Sequence, residues 1–183
     1  MKIFLILTLL CISSIWLYKS PYGFKGWLKN IFSCQGIIPF CFEILLILQV
    51  LGIVNVYFRD FSSGNILVPM GLVTFLMGTI LAVWAKLTMG SSWGRPAQHD
   101  LSIQKQLVRT GPFAFSRNPI YVGLLLLFLG FEMVLQSYLI VLIIPLFLMV
   151  YFAVKKEEKL LEKYFGKEYL EFKKKVPRFL IFI

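Results

Sequence analysis

The sequence has little that is typical of a soluble enzyme. It contains one histidine, His99, and three cysteines, Cys11, Cys34 and Cys41, which show no CxxC spacing. These numbers predict neither a zinc site nor a disulfide framework, and we expect the thiols to be small buried hydrophobic side chains. The chain also has no HExxH sequence, no phosphate-binding P-loop and no GxGxxG after a strand. The usual metalloprotease, nucleotide-hydrolase and soluble dehydrogenase sites are therefore excluded.

Acidic residues are also scarce. Only 9 residues are acidic against 19 that are basic, so the formal net charge is +10. In a soluble protein this excess would raise nucleic acid as a partner. Here 58% of the residues are apolar, and the basic residues cluster in loops and a tail beside long apolar segments. We therefore expect membrane lipids with anionic headgroups as partners, and neither nucleic acid nor a metal ion.

Long apolar runs dominate the rest of the chain. A helix needs about 20 apolar residues to cross a bilayer, and a straight helix over 119–154 would be too long. We expect a hairpin there, with a turn near 132–137. The sequence predicts an all-α integral membrane protein in one domain, residues 1–183. Its five expected transmembrane helices cover about 3–18, 37–58, 66–89, 119–135 and 137–154.

The basic residues indicate how the helices are oriented. Only Lys2 and Arg59 lie outside the loop between the first two expected helices, the tail after residue 154, and the long third loop, with which Lys86 at the end of the third helix is counted. Basic loops are retained in the cytoplasm, so the C-terminus is expected inside and the N-terminus outside. Apolar residues recur at helical spacing in the tail until Val176-Pro177, which predicts a cytoplasmic amphipathic helix on the membrane. The chain lacks an organelle signal, and a prokaryotic inner membrane is the expected location.

Two groups of charged residues lie at the expected membrane boundary. Arg117 and Asn118 precede Pro119, which is a favourable first residue for a helix, and Asn118 is expected to cap that helix. Glu157 and Glu158 lie at the cytoplasmic end of the last transmembrane segment. Charges at such positions are costly unless they are paired or used, so a polar ligand site is expected there. Adjacent helical residues are about 100° apart, so we expect at most one Glu to face it.

The order of motifs resembles the isoprenylcysteine carboxyl methyltransferase family and its phospholipid N-methyltransferase relatives, over roughly residues 76–180. The chain differs from the family pattern at Lys105 (a histidine in the eukaryotic enzymes), Phe113 (usually tyrosine) and Asn118 (histidine in Arg-His-Pro). The matching pieces are Met-Gly-Ser-Ser-Trp at 89–93, Leu-Val-Arg-Thr-Gly-Pro-Phe at 107–113, Ser-Arg-Asn-Pro-Ile-Tyr-Val-Gly at 116–123, Glu-Glu-Lys-Leu-Leu at 157–161, Phe-Gly-Lys-Glu-Tyr at 165–169 and Val-Pro-Arg at 176–178.

The resemblance implies a membrane methyltransferase that binds S-adenosylmethionine near the cytoplasmic face, in a site formed by 90–121 and 150–180. The methyl acceptor would be apolar, lipid-linked or prenylated. The resemblance assigns catalytic roles to Arg117, Glu157 and Glu158. It assigns cofactor binding to Leu107, Gly111, Pro112, Phe113, Asn118 and Tyr121.

Two other interpretations remain open at this point. Membrane reductases of the sterol type also have an Arg-His/Asn-Pro-x-Tyr motif and bind a nicotinamide cofactor, although their chains are usually longer. A non-catalytic scaffold or lipid-binding protein with a basic tail would need neither Arg117 nor the Glu pair. Binding of S-adenosylmethionine, of a reduced nicotinamide nucleotide or of neither distinguishes the three classes.

Overall fold

The computed structural model describes residues 1–18, 37–58, 66–90 and 106–180, and this part of the chain is helical. Two short 3-10 helices cover Gly111–Ala114 and Tyr138–Leu142. Within the described residues, the only strand-like pairing is one isolated bridge between Tyr57 and Ser137. The helices are α1 (Lys2–Tyr18), α2 (Ile37–Val50), α3 (Leu67–Met89), α4 (Pro119–Leu135), α5 (Ile143–Phe165) and α6 (Lys167–Lys175).

Two helical segments, Leu67–Met89 and Tyr138–Phe165, are long and apolar enough to cross a membrane. Along α3, the side chains of Val73, Met77 and Ile80 are all more than half exposed. Exposed apolar residues at this helical spacing form a continuous apolar stripe, which a bilayer solvates better than water does. The described part of the chain is therefore helical and has the features of a membrane protein, while the total of five spans remains a prediction.

The sequence predicts a helix over 37–58, but α2 ends at Val50 and is therefore shorter. Gly52 has a φ of +79°. The Gly52 N–H donates to the carbonyl of Gln49 at 3.0 Å, and the Ile53 N–H donates to that of Leu48 at 3.0 Å. These two bonds form a Schellman motif, which uses a left-handed glycine to end a helix. The apolar run continues past this glycine, which is why hydropathy alone extended the helix.

Two pairs of glycines let α3 and α4 approach closely. A Cβ added at Gly71 or Gly130 would lie within 3.0 Å of backbone atoms of the opposite helix, and the same holds for Gly78 and Gly123. Each helix has its two glycines seven residues apart, which places them on one face. Small residues allow close backbone contact between helices in a membrane. This close pair fixes α4, whose first turn carries the Arg117 motif.

A buried polar latch joins α2 to the other end of α4. The Gln49 Nε2 donates to Glu132 Oε2 at 2.9 Å, and both side chains are fully buried. Next to this bond, the Phe58 N–H donates to the Gln136 carbonyl, and the Tyr138 N–H donates to the Val56 carbonyl, each at 2.9 Å. Gln136 ends α4 in the left-handed conformation, within the region 132–137 where a turn is predicted.

Replacing Glu132 with leucine should lower the free energy of unfolding by about 1 kcal/mol, because Gln49 then lacks its buried acceptor. The double variant Gln49→Leu/Glu132→Leu should recover part of this loss, since neither polar group is left alone. Unfolding in detergent micelles measures both changes. The start of α4 should not be affected, because Glu132 lies about 20 Å along α4 from the Arg117 motif. Equal stability of wild type and the single variant would contradict the latch.

Three residues lie in surroundings that the sequence did not indicate. Cys11 and Cys41 are exposed on their helices instead of buried, and Cys34 is outside the described residues. Lys86, which was grouped with the third loop, belongs to the last turn of α3 and is fully buried. Its Nζ lies 5.9 Å from the centre of the Trp16 ring. This contact between a cation and an aromatic ring ties α3 to α1.

Candidate active site

The site begins in the segment that connects the first 3-10 helix to α4. Ser116 is buried and its Oγ accepts the Asn118 N–H at 3.1 Å. The Asn118 side chain was predicted to cap α4 but makes no cap bond. Its Nδ2 instead donates to the carbonyl of Arg178 at 2.9 Å. The reason is that residues 176–178 follow α6 back to this segment, and their carbonyl groups need donors.

Residues 176–178, called the strap below, cover the start of α4. The Arg117 N–H donates to the Pro177 carbonyl at 2.9 Å, and Ser116 Oγ reaches the Arg178 carbonyl at 3.4 Å. α6 ends at Lys175, and Val176 has extended backbone angles. The residue before a proline avoids helical geometry, so Pro177 turns the chain out of the helix at this point. The strap therefore holds the motif 116–118 through backbone and side-chain bonds.

Glu158 lies between two arginines. Arg117 Nη1 is 2.8 Å from Glu158 Oε1. On the other side, Arg178 donates from both Nε and Nη2 to Glu158 Oε2, at 3.1 and 2.9 Å. The exposed fraction of the side chain is 6% for Arg117, 5% for Glu158 and 13% for Arg178. The hydrogen bonds to Glu158 raise the pKa of Arg178. Two cations thus face the Glu158 carboxylate away from water.

Part of the hydrogen-bonding capacity of this cluster is unused. The 2.8 Å contact between Arg117 and Glu158 lacks the geometry of a hydrogen bond. Arg117 Nε and Nη1 and Glu158 Oε1 are buried and have no hydrogen-bond partner among the described residues. Buried polar atoms without partners are costly and rare in native proteins. A ligand with an anionic acceptor and a cationic donor would satisfy all three atoms.

Glu157 is also buried, and it faces a different partner. Tyr121 donates its hydroxyl proton to Glu157 Oε1 at 2.7 Å, and Glu157 is 7% exposed. We had expected at most one of the two carboxylates to face the site. Both are buried in it, because Tyr121 of α4 contacts Glu157 while Arg117 and the strap contact Glu158. The two side chains point about 100° apart on the helix, and each is buried by its own group of partners.

α6 covers the cluster from the other side. Burial of Tyr169 raises the pKa of its hydroxyl; the nearby charge of Glu158 raises it too, and Arg117 beside it acts in the opposite sense. Tyr169, Phe172 and Val176 form a small apolar core, and Leu107 packs against it. Leu107, which the motifs assigned to cofactor binding, is thus brought to the apolar wall next to Arg117.

Gly111, Pro112 and Phe113 pack against α3. Gly111 has a φ of +58°, and a Cβ at this position would lie 3.0 Å from Oγ1 of Thr88. Pro112 and Phe113 are buried, and the Pro112 carbonyl accepts the Ser116 N–H at 3.2 Å. The turn therefore sets the path of the chain into the motif. Trp93, His99 and Lys105 lie outside the described residues.

Sequence reasoning missed Arg178 and Tyr169 as parts of the site. Val-Pro-Arg at 176–178 was noted as a motif piece without a role, and Tyr169 was assigned to the apolar face of a tail helix. The signal for Arg178 was the proline before it, which ends the helix and directs the next residue back toward the bundle. No local signal connected either residue with Arg117, about 60 and 50 residues earlier in the chain.

The fold and this charge cluster define a small helical membrane protein with a buried candidate ligand site at one end of its helices. A sequence model of the phospholipid methyltransferase family matches residues 66–168, which is more than half of the chain. The chain belongs to this family, and the resemblance seen in the motifs is confirmed.

Curated relatives carry the name protein-S-isoprenylcysteine O-methyltransferase. The Xenopus laevis protein is 34% identical over 69% of this chain and 44% of its own length. The Rattus norvegicus protein is 30% identical over 70% of this chain and 46% of its own length, and the Saccharomyces cerevisiae protein is 29% identical over 58% and 46%. The chain thus spans about half the length of these relatives. No solved structure matches it.

Proposed function

We propose that this protein is a membrane methyltransferase that uses S-adenosylmethionine and acts on an apolar or lipid-linked acceptor. The single observation that carries the proposal is the cluster of Arg117, Glu158 and Arg178, with its buried and unused donors and acceptor. The family match and the names of the three relatives favour this class over the reductase and the scaffold. The acceptor of those relatives is a prenylated cysteine, and a similar acceptor is proposed here.

The unused atoms fit one end of S-adenosylmethionine. Its amino-acid end carries a carboxylate and an ammonium group on adjacent carbons. Arg117 Nε and Nη1 could donate to the carboxylate, and Glu158 Oε1 could accept from the ammonium group. An arginine fork suits a carboxylate particularly well. Leu107 and Tyr169 would provide an apolar wall, and Gly111, Pro112, Phe113, Asn118 and Tyr121 are proposed to complete the pocket.

The residues of this chain would act mainly by holding groups in place. The bound cofactor supplies a methyl group on a positively charged sulfur, which a carboxylate can accept without losing a proton. Arg117 holds an anion, while Glu157 keeps the Tyr121 hydroxyl pointed in one direction. Placing reacting groups in line and excluding water accounts for a large part of such rate enhancements. The buried side chains of the cluster exclude water, and a carboxylate acceptor needs no general base because it is already ionised.

An apolar cleft between α4 and α5 supports an acceptor that enters from the bilayer. The cleft has a volume of about 350 Å³ and is lined by Leu125, Leu126 and Leu129 together with Ile144, Phe147 and Leu148. The ring centres of Phe147 and Phe179 are 5.6 Å apart, and Phe179 follows Arg178 directly. The cleft therefore leads from lipid-facing side chains toward the strap. A hydrocarbon chain in this cleft would place its polar end near the charge cluster.

The first test is calorimetric titration of S-adenosylhomocysteine into wild-type protein in detergent. We expect saturable binding. Labelled S-adenosylmethionine is then offered with N-acetyl-S-farnesylcysteine or with phosphatidylethanolamine. Treatment of the product with base distinguishes the two, because a methyl ester releases methanol and a methylated amine does not. Binding of a reduced nicotinamide nucleotide instead would favour a reductase, and binding of neither by folded protein would favour a scaffold.

The proposed location follows from charge. We propose that the cluster faces the cytoplasm of a prokaryotic cell, with the N-terminus outside, because most basic residues fall in the first loop, the third loop and the tail of the sequence. On the described part of that face, Lys155, Lys159, Lys163 and Lys167 are exposed. Exposed lysines close to a membrane surface favour contact with anionic headgroups.

A further inference from the structure

The strap contributes a side chain that neither the motifs nor the family match assigns to a role. Arg178 binds Glu158 Oε2 with two donors, while its own carbonyl is held by Asn118 and Ser116. Its guanidinium also lies over Tyr151, with 5.3 Å between the Arg178 Cζ and the ring centre. Glu158 and Tyr151 thus hold the side chain, and Asn118 and Ser116 hold the backbone, although the residue belongs to the segment that follows α6.

Because of these contacts, the two oxygens of Glu158 have different surroundings. Oε2 is saturated by Arg178, whereas Oε1 faces Arg117 and makes no hydrogen bond. If Oε2 were free, Arg117 could form a two-pronged pair with the whole carboxylate, which is the geometry that arginine and carboxylate prefer. The donors of Arg117 would then bind Glu158 and would not be available to a ligand. Arg178 blocks this arrangement by occupying Oε2.

We propose that Arg178 is a positioning residue, which holds Glu158 by Oε2 so that Arg117 keeps Nε and Nη1 available for the carboxylate of a ligand. The proposal rests on the methyltransferase function, because that function supplies two carboxylate ligands. One is the amino-acid end of the cofactor, and the other is the carboxylate of a prenylated acceptor. The shared chemistry is a carboxylate, and ligand pairs that differ in this group separate the two sources.

The experiment compares Arg178→Met with wild type on two pairs of ligands. The first pair is S-adenosylhomocysteine and 5′-methylthioadenosine, which lacks the amino-acid end. The second pair is N-acetyl-S-farnesylcysteine and its methyl ester. Methionine keeps an apolar stem over Tyr151 but has no charge. In one of the two pairs, we expect the variant to lose about 10-fold in affinity for the ligand that has the carboxylate, which corresponds to one charge-assisted hydrogen bond. Its affinity for the ligand of the same pair that lacks the carboxylate should not change.

Two variants control for a purely structural effect. Arg178→Lys keeps the charge but offers Glu158 a single point charge, so its loss should lie between those of wild type and methionine. Ser116→Ala removes a bond to the Arg178 carbonyl without changing any charge. It should weaken the binding of both ligands of a pair equally, if it weakens binding at all. Melting temperatures of the ligand-free proteins show that all variants are folded.

The outcomes separate this proposal from the proposed function. If wild type binds the ligands and Arg178→Met weakens both members of each pair equally, the strap is merely structural and the positioning role is wrong. Unchanged affinities for all four ligands would also overturn it. If folded wild-type protein binds neither nucleoside, the methyltransferase function fails, and the positioning role fails with it.

Discussion

Replacing Arg117 with methionine should reduce methyl transfer by a factor of at least about 100, the size of the loss when one preorganised hydrogen-bond donor is removed from an active site. Arg117 is 6% exposed, and Nε and Nη1 are its unused donors. Glu158→Gln should have an effect of similar size, because the amide carries no charge for Arg117 and Arg178. Initial rates with labelled S-adenosylmethionine measure both changes.

Lys173→Met is the matched control for these variants. Lys173 on α6 forms an ion pair with Glu162 on α5, so its replacement also removes a cation from a cation–carboxylate pair. This pair is about one-third exposed on both sides, and exposed pairs contribute little. We expect methyl transfer within about twofold of wild type. Full activity in folded Arg117→Met and Glu158→Gln would remove both residues from the proposed mechanism.

The largest loss of stability is expected from Gly130→Leu. A Cβ at Gly130 would overlap backbone atoms of Phe75 and Gly71 on α3, and backbone cannot turn aside as a side chain can. The two helices must separate, so we expect a loss of more than about 4 kcal/mol in the free energy of unfolding, or no folded protein at all. Retention of secondary structure and resistance to denaturing detergent report the change.

Leu124→Phe is the comparison on the same helix. Leu124 is 39% exposed, so added volume there extends into the surroundings and not into α3. Its effect should stay within about 0.5 kcal/mol, as for most exposed substitutions. If Gly130→Leu and Leu124→Phe melt at similar temperatures, the close contact between α3 and α4 does not determine stability.

Local signals in the sequence indicated much of the helical structure. Pro119 marks the start of α4, and apolar composition indicates a helix on each side of the turn at Gln136. The end of α2 was misplaced because a single left-handed glycine, Gly52, stops the helix inside an apolar run. A glycine's φ depends on bonds to residues on both sides, which composition does not reveal.

The sequence indicated several residues that the structure brings together, but it did not indicate the contacts between them. Motifs identified Arg117, Tyr121, Glu157 and Glu158, and all four lie in the buried cluster. The number of partners was wrong, because Arg178 reaches the cluster from about 60 residues further along the chain. A contact of this kind depends on how α5 and α6 return the chain to α4. The angular positions of side chains around one helix do not show where the chain after α6 will lie.

The position of the strap has a consequence for synthesis of the protein. α3 and α4 can insert and pack through their glycines as soon as residue 135 has left the ribosome. The pairing of Glu158 with Arg178 and the backbone bonds to 116–118 must wait until residue 178 has emerged. Domains are made and folded from the N-terminus onward. Cofactor capture would therefore be among the last events in the maturation of the chain, and a product that stops before 178 would be inserted yet inactive.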